Sequence, residues 1–138
     1  ADLCQRYEPN DTLSTAKGPL ANGETIEAAL CSGDTDDYYF VDLASAATLV
    51  LDLTNLPAGT DYDLFLYSAA GGSALAQSRN AGVAPERIAM SLGAGHYYMR
   101  VYPYSGRSTQ AYRLTASWGA SMQVEQTTPL GSDKPPVP

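Results

Sequence analysis

The segment Ala47-Thr48-Leu49-Val50-Leu51-Asp52-Leu53-Thr54 decides the fold class, because apolar and mostly polar side chains alternate along it. In an extended chain the three leucines lie on one side, and Thr48, Asp52 and Thr54 lie on the other. A period of two over eight residues is typical of a β-strand with one buried face and one face in water. The segment therefore predicts a strand whose leucine side belongs to a core.

The same pattern recurs along most of the chain, and turn-forming residues separate its repeats every ten or so positions. Eight strands are predicted: Thr25 to Leu30, Tyr38 to Leu43, Ala47 to Leu53, Tyr62 to Tyr67, Ala74 to Ser78, Arg87 to Leu92, His96 to Tyr102 and Ala111 to Trp118. Each is expected to keep one wet face. One short helical turn is predicted between Asn10 and Lys17. This spacing favours an all-β fold of antiparallel strands, either a β-sandwich or a jelly roll.

The length of 138 residues fits one globular domain. The alternation ends near Trp118, and the stretch that follows is rich in proline and glycine without any periodicity. We therefore predict a domain over residues 1–118 and a linker or tail over residues 119–138.

Charge and composition exclude several classes of function. The net charge of −7 repels phosphate backbones and anionic lipid, and no stretch approaches the roughly 20 apolar residues of a bilayer span. We therefore expect neither a nucleic acid nor a membrane as partner. A single histidine, His96, cannot build a zinc protease site, and no Gly-x-Ser-x-Gly elbow is present. His96 is interpreted as a plain strand residue, and the domain as non-catalytic.

Cys4 and Cys31 are the two cysteines, and the chain has no Cys-x-x-Cys motif. They predict a disulfide, which is typical of an oxidising, extracellular compartment. The alternative is a pair of buried free thiols.

Carboxylates cluster just after each cysteine, in Glu8-Pro9-Asn10-Asp11 and in Gly33-Asp34-Thr35-Asp36-Asp37. A disulfide would bring the two segments together, so that Glu8, Asn10, Asp11, Asp34 and Asp37 offer oxygen atoms to one point. Ca²⁺ prefers six to eight oxygen ligands, and crowded carboxylates repel one another without a cation. The cluster predicts a calcium site, and the alternative is an acidic, solvated turn.

Five separated motifs resemble the bacterial pre-peptidase C-terminal domain family. They are Glu8 to Thr12, Gly33 to Phe40, Asp61 to Tyr67, Ala94 to Gly106 and Tyr112 to Thr115. The family is similar to the collagen-binding domains of clostridial collagenases. The resemblance implies a jelly-roll-like sandwich appended to exported bacterial hydrolases.

The resemblance also implies calcium ligands at Glu8, Asn10, Asp11, Asp34 and Asp37. One departure is Arg6, which stands where the collagen-binding relatives supply a further acidic ligand. This change is expected to weaken calcium binding or to remove one of two sites.

Alternation predicts a strip of outward-facing side chains on the strand that begins at His96: Tyr98, Arg100, Tyr102 and Tyr104. In the adjacent pairs Tyr38-Tyr39 and Tyr97-Tyr98, one tyrosine must face away from the core. Tyrosine and arginine are favoured at recognition sites, and tyrosine is also common on exposed strands for reasons of propensity alone. The relatives use surface tyrosines of comparable strands to contact collagen, but the arginine that they place between the two aspartates is Asp36 here.

Together these features predict a secreted or cell-surface, calcium-stabilised accessory domain of a bacterial hydrolase, with a peptidase as the expected class of hydrolase. Its expected partners are a tethered catalytic domain and a protein or polysaccharide substrate such as a collagen-like protein. The alternative is a secretion, processing and stability module that has no ligand of its own.

Overall fold

The computed structural model describes residues 3–119, and these residues form eight strands and one short 3₁₀ helix. The predicted all-β class is confirmed. The helix covers Leu13–Thr15, inside the segment predicted for a helical turn. The strands are β1 (Thr25–Ala28), β2 (Asp37–Leu43), β3 (Ala47–Thr54), β4 (Asp61–Ser68), β5 (Ala76–Ser78), β6 (Glu86–Leu92), β7 (Gly95–Ser105) and β8 (Tyr112–Gly119).

The strands form two four-stranded antiparallel sheets. Sheet one has the order β1-β8-β3-β6, and sheet two has the order β2-β7-β4-β5. This alternation of the chain between two sheets is the jelly-roll topology, in which strands distant in sequence become neighbours. The predicted sandwich is therefore confirmed. Of the predicted tail, residues 119–138, Gly119 is the last residue of β8, and residues 120–138 lie outside the described residues.

The core lies between the sheets and consists mainly of aliphatic side chains from alternate strand positions. Leu49, Leu51 and Leu53 of β3 are fully buried, whereas Val50, Asp52 and Thr54 are partly exposed. Complete burial of one such leucine stabilises a fold by about 1.5–3 kcal/mol. The leucine alternation therefore places β3 in the sandwich as the sequence predicts.

The expectation of one wet face per strand is wrong for β4. Seven of its eight residues are buried, including Asp63, Phe65 and Tyr67 on its outer side. The side chains of Arg100 and Tyr102, on the neighbouring strand β7, lie against Phe65. Long side chains can cover a sheet face that no other layer protects.

Strand β1 ends two residues earlier than predicted, because its ladder with β8 ends where Ala28 pairs with Tyr112. The chain then leads to Cys31, which forms the predicted disulfide with Cys4. The Cα atoms of the two cysteines are 5.6 Å apart. The segment that follows Cys4 is thereby held at one end of the sandwich, beside the start of β2.

Among residues 3–119, no helix has the length and apolar character required to cross a bilayer.

Candidate functional site

Glu8, Asp34 and Asp37 form an acidic cluster at the disulfide-linked end of the sandwich. One carboxylate oxygen of each lies within 4.8 Å of the corresponding oxygens of the other two. The backbone N–H of Cys31 donates a 2.9 Å hydrogen bond to Oδ2 of Asp34, which fixes that side chain to the loop that carries the disulfide. Asp37 is the first residue of β2 and is buried. The loop, the strand and the N-terminal segment thus bring three distant carboxylates to one place.

Asn10 is fully buried beside the cluster. One terminal atom of its side-chain amide lies 2.9 Å from Oδ1 of Asp37 and 2.9 Å from Oε2 of Glu8. Without a cation that atom must be the nitrogen, which donates to both carboxylates. If a cation is bound among these groups, the amide can instead turn its oxygen towards the ion. The orientation of Asn10 therefore depends on what lies between the carboxylates.

Asp11 adds a fourth carboxylate to the same region. Its Oδ1 atom is buried and has no hydrogen-bond partner among the described residues. A buried oxygen without a partner has lost its hydration and gains nothing in return, unless an ion or water molecule contacts it. Asp11 is therefore available as a ligand. The side chain of Arg6 is hydrogen-bonded to strand β1, since its Nη1 donates a 3.2 Å hydrogen bond to the carbonyl oxygen of Glu27.

Two core tyrosines support Asp37 from inside the sandwich. Tyr112 donates a 2.5 Å hydrogen bond to Oδ2 of Asp37, and its hydroxyl is 2.6 Å from that of Tyr39. Both rings are fully buried. The sequence analysis did not assign these tyrosines to the site, although Tyr112 begins one of the motifs that carry the family resemblance. Because Tyr112 holds one oxygen of Asp37, the other oxygen is left to face Asn10 and the cluster.

The pKa values of the cluster show that burial and mutual repulsion disfavour the charged form of its carboxylates. Burial, together with the nearby charges of Glu8 and Asp34, raises the pKa of Asp37 to about 8, although the hydrogen bond from Tyr112 lowers it. The pKa of Glu8 is also raised, first by burial and then by Asp34 and Asp11. Burial and Asp34 raise the pKa of Asp11. A divalent cation would remove these penalties, since it favours the charged form of every group around it.

The donor set fits a hard cation. It consists of carboxylate and amide oxygens, which Ca²⁺ prefers, and the described cluster offers neither sulfur nor imidazole ligands to a softer metal. The fit rests on two observations: the convergence of three carboxylates, and the unpartnered oxygen of Asp11. All five residues predicted as ligands therefore lie in one region, with three of them meeting closely.

The predicted outer strip of β7 also forms. Met99, Val101 and Pro103 are buried, whereas the alternate residues are partly or fully exposed: Tyr98, Arg100, Tyr102 and Tyr104. Tyr104 is the most exposed of the tyrosines that the sequence places there, at 37%.

Neighbouring strands add aromatic residues that the sequence analysis did not assign to the strip. Tyr38 and Phe40 of β2 pair with Arg100 and Tyr98, and Phe65 and Tyr67 of β4 flank the other side of β7. We call the whole surface the aromatic face; it consists of Tyr38, Phe40, Phe65, Tyr67, Tyr98, Tyr102 and Tyr104. Alternation from Tyr38-Tyr39 indicated that one of these two is outward. The remaining residues of the aromatic face are brought together by the pairing register between strands, which a single sequence does not reveal.

Arg100 lies within the aromatic face rather than above it. Its Nε donates a 2.9 Å hydrogen bond to Oδ1 of Asp36, and the two side chains are only 17% and 15% exposed. Its guanidinium carbon is 4.8 Å from the ring centre of Tyr102, 5.5 Å from that of Phe65 and 5.8 Å from that of Tyr38. Burial lowers the pKa of Arg100, but hydrogen bonds to Asp36 and Tyr67 outweigh it, so that the pKa is raised. Arg100 therefore holds the rings together.

His96 lies at the far end of the same face. Its Nδ1 is 2.6 Å from Oδ1 of Asp42, and its ring centre is 4.6 Å from that of Phe40 and 4.8 Å from that of Tyr98. This placement agrees with the interpretation of His96 as a strand residue.

Fold and site together define an all-β jelly-roll domain with an acidic cluster at its disulfide-linked end. The family model described as the bacterial pre-peptidase C-terminal domain matches residues 35–103, half of the 138-residue chain. The chain therefore belongs to this family, as the sequence motifs predict. Glu8, Asn10, Asp11 and Asp34 precede the matched segment.

A solved structure shares the fold. It is the pre-peptidase C-terminal domain of a collagenase from Bacillus anthracis, with 24% sequence identity and a TM-score of 0.58. The match covers 71% of this chain and 91% of that one. No curated protein sequence gives a significant match.

Proposed function

We propose that this chain is a non-catalytic accessory domain of an exported bacterial peptidase, which carries a structural calcium ion and binds protein or polymer substrate through its aromatic face. Family membership supports the link to peptidases, and the disulfide suits an extracellular location. The partners in this proposal are a tethered catalytic domain and the substrate surface.

The single observation that carries the calcium proposal is the convergence of Glu8, Asp34 and Asp37. In the proposal these three hold the ion, and the side chains of Asn10 and Asp11 complete the donor set. The ion supplies positive charge that offsets the repulsion among the carboxylates and ties the N-terminal segment to β2. It has no chemical role in turnover.

Thermal unfolding with calcium and with chelator tests this site. A ligand that binds only the folded state at roughly 100 times its Kd adds about 2.7 kcal/mol, so we expect Tm to rise by several degrees in calcium and less in magnesium. Asp34→Asn should abolish the rise. Asp52→Asn is the matched control, because it removes the same charge from sheet one and should keep the rise. Equal Tm values in calcium and EDTA for the native chain would contradict the proposal.

The aromatic face supports substrate binding because it combines exposed rings with internally paired charges. Arg100 is paired with Asp36, so the guanidinium among the rings does not present an uncompensated charge to a partner. Rigid aromatic side chains bury much area at a low entropic cost. In the proposal Tyr98, Tyr102 and Tyr104 contact the substrate, and Arg100 holds their neighbours in place.

Sedimentation with insoluble polymers tests the binding role. The folded domain should be retained on at least one of fibrous collagen, gelatin, elastin or an insoluble polysaccharide. Tyr102→Ala should reduce retention at least fivefold. Val50→Ala, which shortens an outward-facing apolar side chain on β3 of sheet one, should leave it unchanged. No retention on any polymer would favour a secretion and stability module instead.

A further inference from the structure

Asp36 connects the acidic cluster to the aromatic face. It stands between Asp34 and Asp37, two members of the acidic cluster, yet its own carboxylate belongs to the aromatic face. Asp37 begins β2 and turns inward to Tyr112, whereas Asp36 turns outward to Arg100. Successive residues of an extended chain point to opposite faces, so this division follows from the backbone.

We propose that the ion pair between Asp36 and Arg100 couples cation binding at the acidic cluster to the order of the aromatic face, with Arg100 acting as a positioning residue. The inference rests on the calcium site of the proposed function. A cation fixes Asp34 and Asp37, and therefore the backbone of the residues between them. Asp36 transmits that position to Arg100, which touches the rings of Tyr38, Phe65 and Tyr102.

The contacts of Arg100 explain why the link is specific. Its guanidinium also donates a 3.2 Å hydrogen bond to the hydroxyl of Tyr67, so one side chain reaches aromatic residues on β2, β4 and β7. Both members of the ion pair are largely shielded from water, where a charge pair is screened little by salt. By contrast, the pair between Arg113 and Glu27 on sheet one is about half exposed.

Coupling of this kind is reciprocal. If the cation orders the face, then an intact face must strengthen cation binding. The direction in which calcium affinity changes when Arg100 is replaced therefore tests the inference, because Arg100 is positive and lies near the acidic cluster. Acting through space alone, its removal would tighten calcium binding. Acting through Asp36, its removal frees the loop between Asp34 and Asp37, and calcium binding weakens.

The experiment is a calcium titration by calorimetry on a double-mutant cycle of Arg100→Gln and Asp36→Asn. We expect Arg100→Gln to raise the calcium Kd at least threefold in the native background and to change it less than 1.5-fold in the Asp36→Asn background. Arg113→Gln, the control, should change it less than 1.5-fold. A lower Kd in Arg100→Gln, or the same change in both backgrounds, would overturn the inference.

NMR of the arginine Nε–Hε groups provides a second measurement on the folded native protein. Calcium should shift the Arg100 signal, whose Nε–H is bonded to Asp36, together with the ring signals of Tyr38 and Tyr102. The Arg113 signal should stay in place. If calcium raises Tm but leaves the Arg100 and tyrosine signals unchanged, the coupling is wrong and the calcium site stands. If calcium produces neither heat nor a rise in Tm, both the site and the coupling are wrong.

Discussion

Tyr112 reaches across the core from sheet one to donate a hydrogen bond to Asp37, the first residue of β2 in sheet two. Both side chains are buried, so the bond lies out of water. It connects the two layers of the sandwich at the end where the acidic cluster lies. It also gives the buried carboxylate of Asp37 a hydrogen-bond donor, which a buried charge requires.

Removal of this donor should therefore destabilise the fold. We expect Tyr112→Phe to lower the free energy of unfolding by about 1–3 kcal/mol, because Asp37 and Tyr39 both lose a buried partner. Urea denaturation with calcium present measures the loss. Tyr62→Phe is the matched control: its ring packs edge-on against that of Tyr112, and its hydroxyl has no hydrogen-bond partner among the described residues. A loss as large in Tyr62→Phe would contradict the special role of Tyr112.

The raised pKa of Asp37 predicts how stability without calcium depends on pH. The pKa rises from 3.8 to about 8 on folding, so the folded state binds a proton more tightly than the unfolded state. The free energy of unfolding in EDTA should therefore be highest at the acid end of this interval and fall as the pH rises towards 8. The raised pKa values of Glu8 and Asp11 act in the same direction.

Chemical denaturation in EDTA at several pH values between 5 and 8 measures this slope. Asp37→Asn should flatten it and should be more stable than the native chain at pH 8, because the substitution removes a repelled, buried charge. With calcium present, the order should reverse. A native chain that becomes more stable in EDTA as the pH rises through this range would contradict the account.

The disulfide should matter for stability and for the cation together. The two cysteines are separated by 27 positions in the sequence. For a loop of this length, the chain-entropy relation gives a stabilisation of about 3–4 kcal/mol from the disulfide. We expect the double substitution Cys4→Ser and Cys31→Ser to lower the free energy of unfolding by this order and to raise the calcium Kd, because Glu8 is no longer tethered near Asp34. Denaturation and calorimetry measure the two effects. An unchanged calcium Kd would mean that the bridge does not position the site.

Much of the fold was predictable because alternation is a local property of the chain. The leucines of β3 and the outward strip of β7 follow from a period of two, whichever strands lie beside them. Which strands lie side by side is not a local property. Phe65 and Tyr67 face outward, as alternation predicts, but they are buried because Arg100 and Tyr102 of the neighbouring strand β7 cover them. Likewise, the two cysteines indicated that the acidic segments meet, whereas the support of Asp37 by Tyr112 depends on contact between two distant strands. Contacts that depend on which distant strands become neighbours were therefore not predicted.

The covered outer side of β4 gives a prediction of its own. Phe65 is 4% exposed although it faces away from the core. We expect Phe65→Ala to lower the free energy of unfolding by about 3–5 kcal/mol, as for a core phenylalanine. Tyr104→Ala should cost less than about 0.5 kcal/mol, since exposed side chains contribute little. Urea denaturation compares the two. Equal, small effects would show that the cover over Phe65 is weak.

Terbium luminescence tests the central claim, a hard-cation site at Glu8, Asp34 and Asp37, most directly. Tb³⁺ binds oxygen ligands as Ca²⁺ does, and excitation of nearby tyrosines such as Tyr39 and Tyr112 makes a bound ion emit. The account predicts emission that saturates, that calcium displaces, that Asp37→Asn abolishes and that Asp52→Asn retains. Emission that is absent from the native chain, or equally strong in Asp37→Asn, would contradict it.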